Sequence, residues 1–232
     1  DRIERIIKLI EENSDQIHAV ISKDFGSRHE QLSQLTDTLA TISHAKHVLK
    51  KVSSWVKPDR RKARFPLNLL GSSAYVHNQP LGVIGIIAPW NFPISLSLGP
   101  LIEVFAAGNN AMMKLSEFVP ETSKLIDELI KKYFSEEEVV VINGGVQTST
   151  DFTKLKFDHL VYTGSTAVAK KVSASVAENL VPLTLELGGK SPVIVSSDAD
   201  MKKSVGQIMT GKTVNAGQIC VAPDYTFVPD SK

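Results

Sequence analysis

A chain of 232 residues, 42% hydrophobic and 22% charged, has an ordinary globular composition with room for one sizeable domain or one and a half, which excludes intrinsic disorder. Lys and Arg total 26 against 25 Asp and Glu, so the net charge of +1 gives no electrostatic case for nucleic acid or an anionic membrane surface and points to a small-molecule partner. The single cysteine, Cys220, forms no internal disulfide and fits a reducing, cytoplasmic compartment.

The longest apolar stretch, Val83 to Pro89, is far shorter than the ~20 residues a membrane-spanning helix needs, and no charged-then-apolar signal opens the chain. The chain begins at Asp1 without a Met and stops at Lys232 just after an apparent strand, so it reads as a fragment.

Taken in chain order, Ile3, Ile6, Ile7 and Ile10, then Ile17, Val20 and Ile21, follow the three-four spacing of amphipathic helices, with Asn13 and Ser14 as a cap between them. From about Ser27 the spacing predicts one longer helix with Leu32, Leu35, Leu39, Ile42, Val48, Leu49 and Val52 on one face, stopped by Pro58. Lys57 to Arg64 is a basic cluster that reads as a solvated loop with no assigned function. His44 and His47 lie on the long helix but lack further metal ligands nearby, so both read as surface histidines.

After Pro80 short apolar runs alternate with helical segments, the pattern of parallel strands with crossover helices. Strands are expected at Val83 to Ile87, Ala111 to Lys114, Val139 to Ile142, His159 to Tyr162, Thr184 to Leu187, Val193 to Val195 and Tyr225 to Val228. Helices are expected at Ser95 to Ala107, Glu121 to Phe134, Thr166 to Glu178 and Met201 to Ala216. The fold class this predicts is α/β: N-terminal helices, then a doubly wound, Rossmann-like parallel sheet whose ligands bind at the carboxyl ends of its strands, then the start of a second α/β catalytic domain.

Five segments carry candidate chemistry. In Pro89-Trp90-Asn91-Phe92-Pro93, at the end of an apolar strand, two prolines rigidify a turn from which an amide can donate to a developing negative charge; alone, Asn91 serves equally as a cap for the next helix. Lys114-Leu115-Ser116-Glu117 places a cation and a carboxylate where a ribose lies in such a fold, or else forms an exposed ion pair in a turn. Tyr162-Thr163-Gly164-Ser165-Thr166 opens a helix whose free amides suit a pyrophosphate, or is a plain Ser/Thr cap, because the glycine pattern falls short of the dinucleotide fingerprint. In Leu185-Glu186-Leu187-Gly188-Gly189-Lys190 the flanking leucines predict a partly desolvated carboxylate suited to base catalysis, against the alternative of a Glu paired with a buried Lys. Gly217-Gln218-Ile219-Cys220 puts the lone cysteine in a loop after a glycine; a small buried apolar role is otherwise the commoner fate of such a residue.

These segments, in this order across residues 89 to 220, resemble the aldehyde dehydrogenase family, and the resemblance extends over the whole chain. Within the family the chain is most similar to the coniferyl aldehyde dehydrogenase branch, through PLGVIGIIAPWNFPISLSLGP, FDHLVYTGSTAVAKKV and GQICVAPDY. The resemblance implies that Cys220 is the nucleophile, that Asn91 and the Cys220 amide hold the oxyanion, and that Glu186 activates water against a thioester. It implies cofactor contacts at Lys114 and Glu117 for the adenosine ribose, at Gly164 and Ser165 for the pyrophosphate, and at Pro89, Trp90 and Leu187 toward the nicotinamide. Glu117 would repel a 2′-phosphate, so NAD is favoured, with NADP possible through Lys114.

The implied activity is oxidation of an aldehyde, bulky or aromatic in that branch, to its acid. The implied assembly is a homodimer or homotetramer. Residues 1–187 are expected to form the N-terminal helices and NAD-binding domain, and 188–232 the beginning of the catalytic domain. One departure is Ala169, where the family commonly has glycine; it still permits close packing of the helix. Another is length, since the family's second carboxylate toward the nicotinamide ribose has no counterpart before Lys232. A dinucleotide-binding module without turnover, and a reductase running the same cysteine chemistry in reverse, are the competing classes; Glu186 argues against the second.

Overall fold

The structure, a computed structural model, describes residues 1–230. Helices α1 (Arg2–Glu12) and α2 (Ser14–Phe25) bury Ile3, Ile6, Leu9, Ile10, Ile17 and Ile21, as their spacing predicts. Gly26 ends α2 in the left-handed conformation, the usual glycine stop.

The long helix expected from about Ser27 forms from Glu30 to Trp55, with a π-helical segment inside it. Residues to His29 are non-helical, a short α3 (Glu30–Ser33) follows, then a π-helical segment (Gln34–Leu39), then α4 (Ala40–Trp55). The π segment rotates the inward face, so Leu35 and Leu39 point to solvent while Ser33, Asp37, Thr38 and Thr41 are buried. Of these, Asp37 accepts from the amides of Ile94 and Ser95, Thr38 meets His18 on α2, and Thr41 bonds back to the Asp37 carbonyl. The basic run at Lys57 to Arg64 is also corrected. It contains β1 (Asp59–Lys62), paired antiparallel with β2 (Ser73–Val76), both fully exposed.

The centre is a five-stranded parallel sheet of β3 (Val83–Ile87), β4 (Asn110–Lys114), β5 (Val139–Ile142), β6 (His159–Gly164) and β7 (Leu183–Leu187), in the order β5-β4-β3-β6-β7. Alternation divides it into two faces. Ile84, Ile86, Ala111, Met113, Val139 and Val141 join the N-terminal helices, α5 (Ser95–Ala106) and α6 (Pro120–Tyr133) in one core. Leu160 and Tyr162, with Ile87, Met112 and Ile142 packed alongside, meet α8 (Thr166–Ala177) in the other. Each buried aliphatic side chain contributes about 1.5–3 kcal/mol of transfer free energy, so this sandwiching accounts for the continuous apolar runs of the strands.

The chain moves from β3 outward through β4 and β5, then crosses back to β6 and β7, so β3 and β6 flank a topological switch. The sequence reading missed α7 (Val146–Phe152), whose Thr- and Ser-rich segment carries no apolar period. β8 (Ser191–Ile194) and β9 (Pro223–Phe227) form a separate two-stranded parallel sheet linked by α9 (Met201–Thr213). The helix expected to reach Ala216 stops at Thr213, because Asn215 and Ala216 take left-handed backbone angles. Among the described residues no helix is long and apolar enough to cross a membrane.

Candidate active site

The carboxyl ends of β3, β4 and β6 carry the residues singled out from sequence. β3 leads through Pro89 and Trp90 to Asn91, in the loop before α5. Asn91 does not cap that helix. The first amides of α5, those of Ile94 and Ser95, donate instead to Asp37 Oδ1 at 3.1 and 3.3 Å. The alternative structural role for Asn91 is thus taken by a residue far away in sequence, and its side chain is left for another purpose. Its Nδ2 donates to the Gln218 carbonyl at 2.9 Å, which ties it to the loop carrying Cys220.

Asp37 is fully buried and paired with Arg28, Nη2 to Oδ2 at 2.6 Å. Burial pushes the Asp37 carboxyl up, opposed by the Arg28 charge and the two α5 amides. Burial likewise pulls the Arg28 guanidinium down, opposed by Asp37. Arg28 sits over the rings of Phe25 and Phe92 and donates to Thr36 Oγ1 at 2.7 Å and to the Asn91 carbonyl at 2.9 Å. The sequence reading passed over Arg28, Thr36 and Asp37. No local signal marked Asp37, because a regular helix would have placed it opposite the Leu32, Leu35, Leu39 and Ile42 stripe.

At the end of β4, Lys114 is 1% exposed, so the exposed ion pair considered from sequence is not what forms. Its Nζ donates to the Leu115 carbonyl at 2.5 Å and lies 3.5 Å from Glu117 Oε2, whose residue is exposed. Burial lowers the ammonium's pKa and Glu117 opposes that. An ammonium carries three donors, so this geometry leaves capacity for a ribose hydroxyl beside a carboxylate acceptor. The residues present fit the sugar of a dinucleotide.

At the end of β6, Ser165 caps α8 by accepting from the Val168 amide at 3.3 Å. A Cβ on Gly164 would overlap the Tyr162 hydroxyl, so a side chain there would have to displace that buried ring. The earliest amides of α8 stay at the open carboxyl edge, in the position that suits an anion. Ala169 is buried, and its methyl packs in the core beneath α8.

Glu186 lies on β7, register-paired with Thr163, and is exposed. The expected desolvation by its leucine neighbours does not occur in this chain. The edge strand presents Leu185 and Glu186 outward, and only Leu183 and Leu187 pack against the core. Leu187 leads into Gly188-Gly189, and Gly189 approaches the carbonyl of Cys220, where an added Cβ would come within 3.9 Å. Cys220 itself is exposed. The β7 turn, the Asn91 loop and the Cys220 loop therefore meet. His44 and His47 are elsewhere: His44 pairs with Glu103 at 2.8 Å, and His47 lies by Trp55.

Asn215 was also missed. It is 4% exposed, at φ 50°, and its Nδ2 donates to the Asn91 carbonyl at 3.0 Å.

The structure thus places a Lys-Glu pair at the carboxyl edge of a parallel sheet and ties the Asn91 amide to the loop that carries the exposed Cys220. The chain belongs to the aldehyde dehydrogenase family, whose profile matches residues 1–232. It is 48% identical over 229 residues to the coniferyl aldehyde dehydrogenase of a Pseudomonas species, covering 99% of this chain and 47% of that protein. The substrate-bound state of Staphylococcus aureus AldH superimposes with a TM-score of 0.92 at 36% identity, over 99% of this chain and 50% of that one. An aldehyde dehydrogenase of Mycobacterium tuberculosis complexed with NAD+ superimposes with a TM-score of 0.88 at 25% identity, over 99% and 47%. The chain thus spans about half the length of the relatives it matches.

Proposed function

We propose that the protein oxidises a bulky or aromatic aldehyde, such as coniferyl aldehyde, to its carboxylic acid through a cysteine thiohemiacetal and thioester. The observation that carries this reading is the bond from the Asn91 amide to the Gln218 carbonyl, which brings the donor to the loop of the thiol. The Cys220 thiolate adds to the aldehyde carbon, and the oxyanion that forms is met by the Asn91 Nδ2–H and the Cys220 amide. Collapse of the oxyanion expels hydride from the former aldehyde carbon and leaves an acyl group on Cys220. Glu186 then takes a proton from water as it attacks the thioester, which releases the acid and regenerates the thiolate.

A bound nicotinamide dinucleotide supplies the hydride acceptor. Lys114 and Glu117 would hold its ribose, Gly164 and Ser165 its pyrophosphate, and Pro89, Trp90 and Leu187 would border the path toward the ring. The carboxylate at Glu117 disfavours a 2′-phosphate, which supports NAD over NADP. The separate β8–β9 sheet supports a division between a cofactor-binding unit, 1–187, and a catalytic unit from 188 to 232. A homodimer or homotetramer in the cytoplasm completes the reading.

In the intact protein, Cys220→Ala is expected to abolish formation of reduced cofactor from an aromatic aldehyde. Glu186→Gln is expected to give one burst of it and then steady-state turnover slowed about 10²–10⁴-fold. Normal turnover in either variant would overturn these roles.

A further inference from the structure

We infer that Asn215 and Arg28 are positioning residues that aim the Asn91 amide from two sides, an inference that rests on the oxyanion role proposed above for Asn91. The Asn91 carbonyl accepts from Arg28 Nη1 at 2.9 Å and from Asn215 Nδ2 at 3.0 Å. A carbonyl oxygen has two lone pairs, so both are occupied and the peptide is fixed in direction as well as position. Asn215 Nδ2 also reaches the Gln218 carbonyl at 3.4 Å, the same oxygen that the Asn91 Nδ2 meets at 2.9 Å. The contacts close a circuit from the Asn91 backbone through Asn215 to Gln218 and back to the Asn91 side chain. A primary amide has two N–H groups; spending one on Gln218 leaves the other for an oxyanion and sets where it points.

Both anchors are built for this. Asn215 is 4% exposed and sits in the left-handed region, which Asn tolerates better than most residues; Ala216 and Gly217 continue at φ 54° and 79°, turning the chain toward Cys220. The Arg28 side chain is 2% exposed, held by Asp37 and Thr36 and flanked by Phe25 and Phe92. Asp37 also grips the amides of Ile94 and Ser95, so one buried ion pair secures the loop at Asn91 and at the start of α5. Oxyanion stabilisation depends on a donor pre-set to within a fraction of an ångström, which is the margin such a frame controls.

The test is a double-mutant cycle in the intact protein, reading the single-turnover appearance of reduced cofactor with NAD and an aromatic aldehyde. Asn215→Gly keeps the left-handed backbone and deletes the amide. It is expected to slow that step about 10- to 100-fold with the KM for NAD unchanged, and to cause no further loss in an Asn91→Ala background. Arg28→Lys, which keeps the charge but not the paired geometry, is expected to behave likewise; if it does not fold, Asn215→Gly decides alone. The same fold-loss from Asn215→Gly in both backgrounds would overturn the inference, as would an unchanged rate. If Asn91→Ala by itself leaves the step untouched, the oxyanion role falls and this inference with it, a result read before any change at Asn215.

Discussion

The loop that presents Asn91 and the segments that present Glu186 and Cys220 are built on opposite plans. The first rests on buried polar groups: Arg28 and Asp37 lie beneath it, and the core residues Ile94, Leu98 and Leu101 follow directly after it. The second is open, with Glu186 on an exposed edge strand, Cys220 exposed, and no buried residue anywhere on α9. The buried groups that secure the fold and the exposed groups proposed for the chemistry are thus different side chains. The Asn91 loop is anchored from within, whereas the Cys220 thiol and the Glu186 carboxylate, proposed above to meet substrate and water, stand at the surface of this chain.

The contrast would be tested hardest by Asp37→Ala. Removing one member of a buried ion pair strands the Arg28 charge and unpairs the first α5 amides, so a loss of about 3–5 kcal/mol is expected in chemical denaturation. A loss below about 1 kcal/mol would break the claim that the Asn91 loop is anchored from beneath.

A smaller effect is expected at the surface pair that ties α1 to the start of β5. The Arg5 guanidinium, bonded to Glu138 at 2.5 and 2.9 Å, holds that carboxyl down at about 2 against an ordinary value of 4.5. A carboxylate with a depressed folded-state pKa contributes stability that is fully present above the ordinary value and is lost as pH falls through the depressed one. Glu138→Gln should therefore cost no more than about 1 kcal/mol near neutral pH, since the pair is partly exposed, and should flatten the stability curve between pH 4.5 and about 2. An unaltered acid limb would remove this pair from the account.

The least change is expected from Cys220→Ser and Glu186→Gln, each within about 0.5 kcal/mol of the parent stability. A loss of several kcal/mol in either would show that the exposed side also carries the fold, and the contrast would dissolve.

Much of this was legible in the residues. The apolar runs at Val83, Ala111, Val139 and His159 appear as strands within a residue or two, because strands inside a sheet packed on both faces are largely apolar, and the run at Thr184 appears as the edge strand β7. The segments bearing Asn91, Lys114, Ser165 and Cys220 fall at strand ends and loops for the same reason. Where the reading failed, the cause was distant or conformational. Leu35 and Leu39 keep a helical spacing, yet a π turn rotates them outward. Leu185 and Leu187 flank Glu186 in sequence, but flanking residues on a strand point to the opposite face and cannot desolvate it.

The sequence by itself determined the parallel sheet, the placing of the candidate chemistry at its carboxyl edge and the family to which the chain belongs, since each depends on residue type and local period. Only the tertiary structure decided how Asn91 is held. Its helix is capped by Asp37 from 57 residues away, and its carbonyl is bonded by Arg28 and by Asn215, 63 residues before it and 124 after. Capping and hydrogen-bond rules read from sequence see only a few neighbours, whereas a buried donor takes whichever acceptor the fold brings within reach.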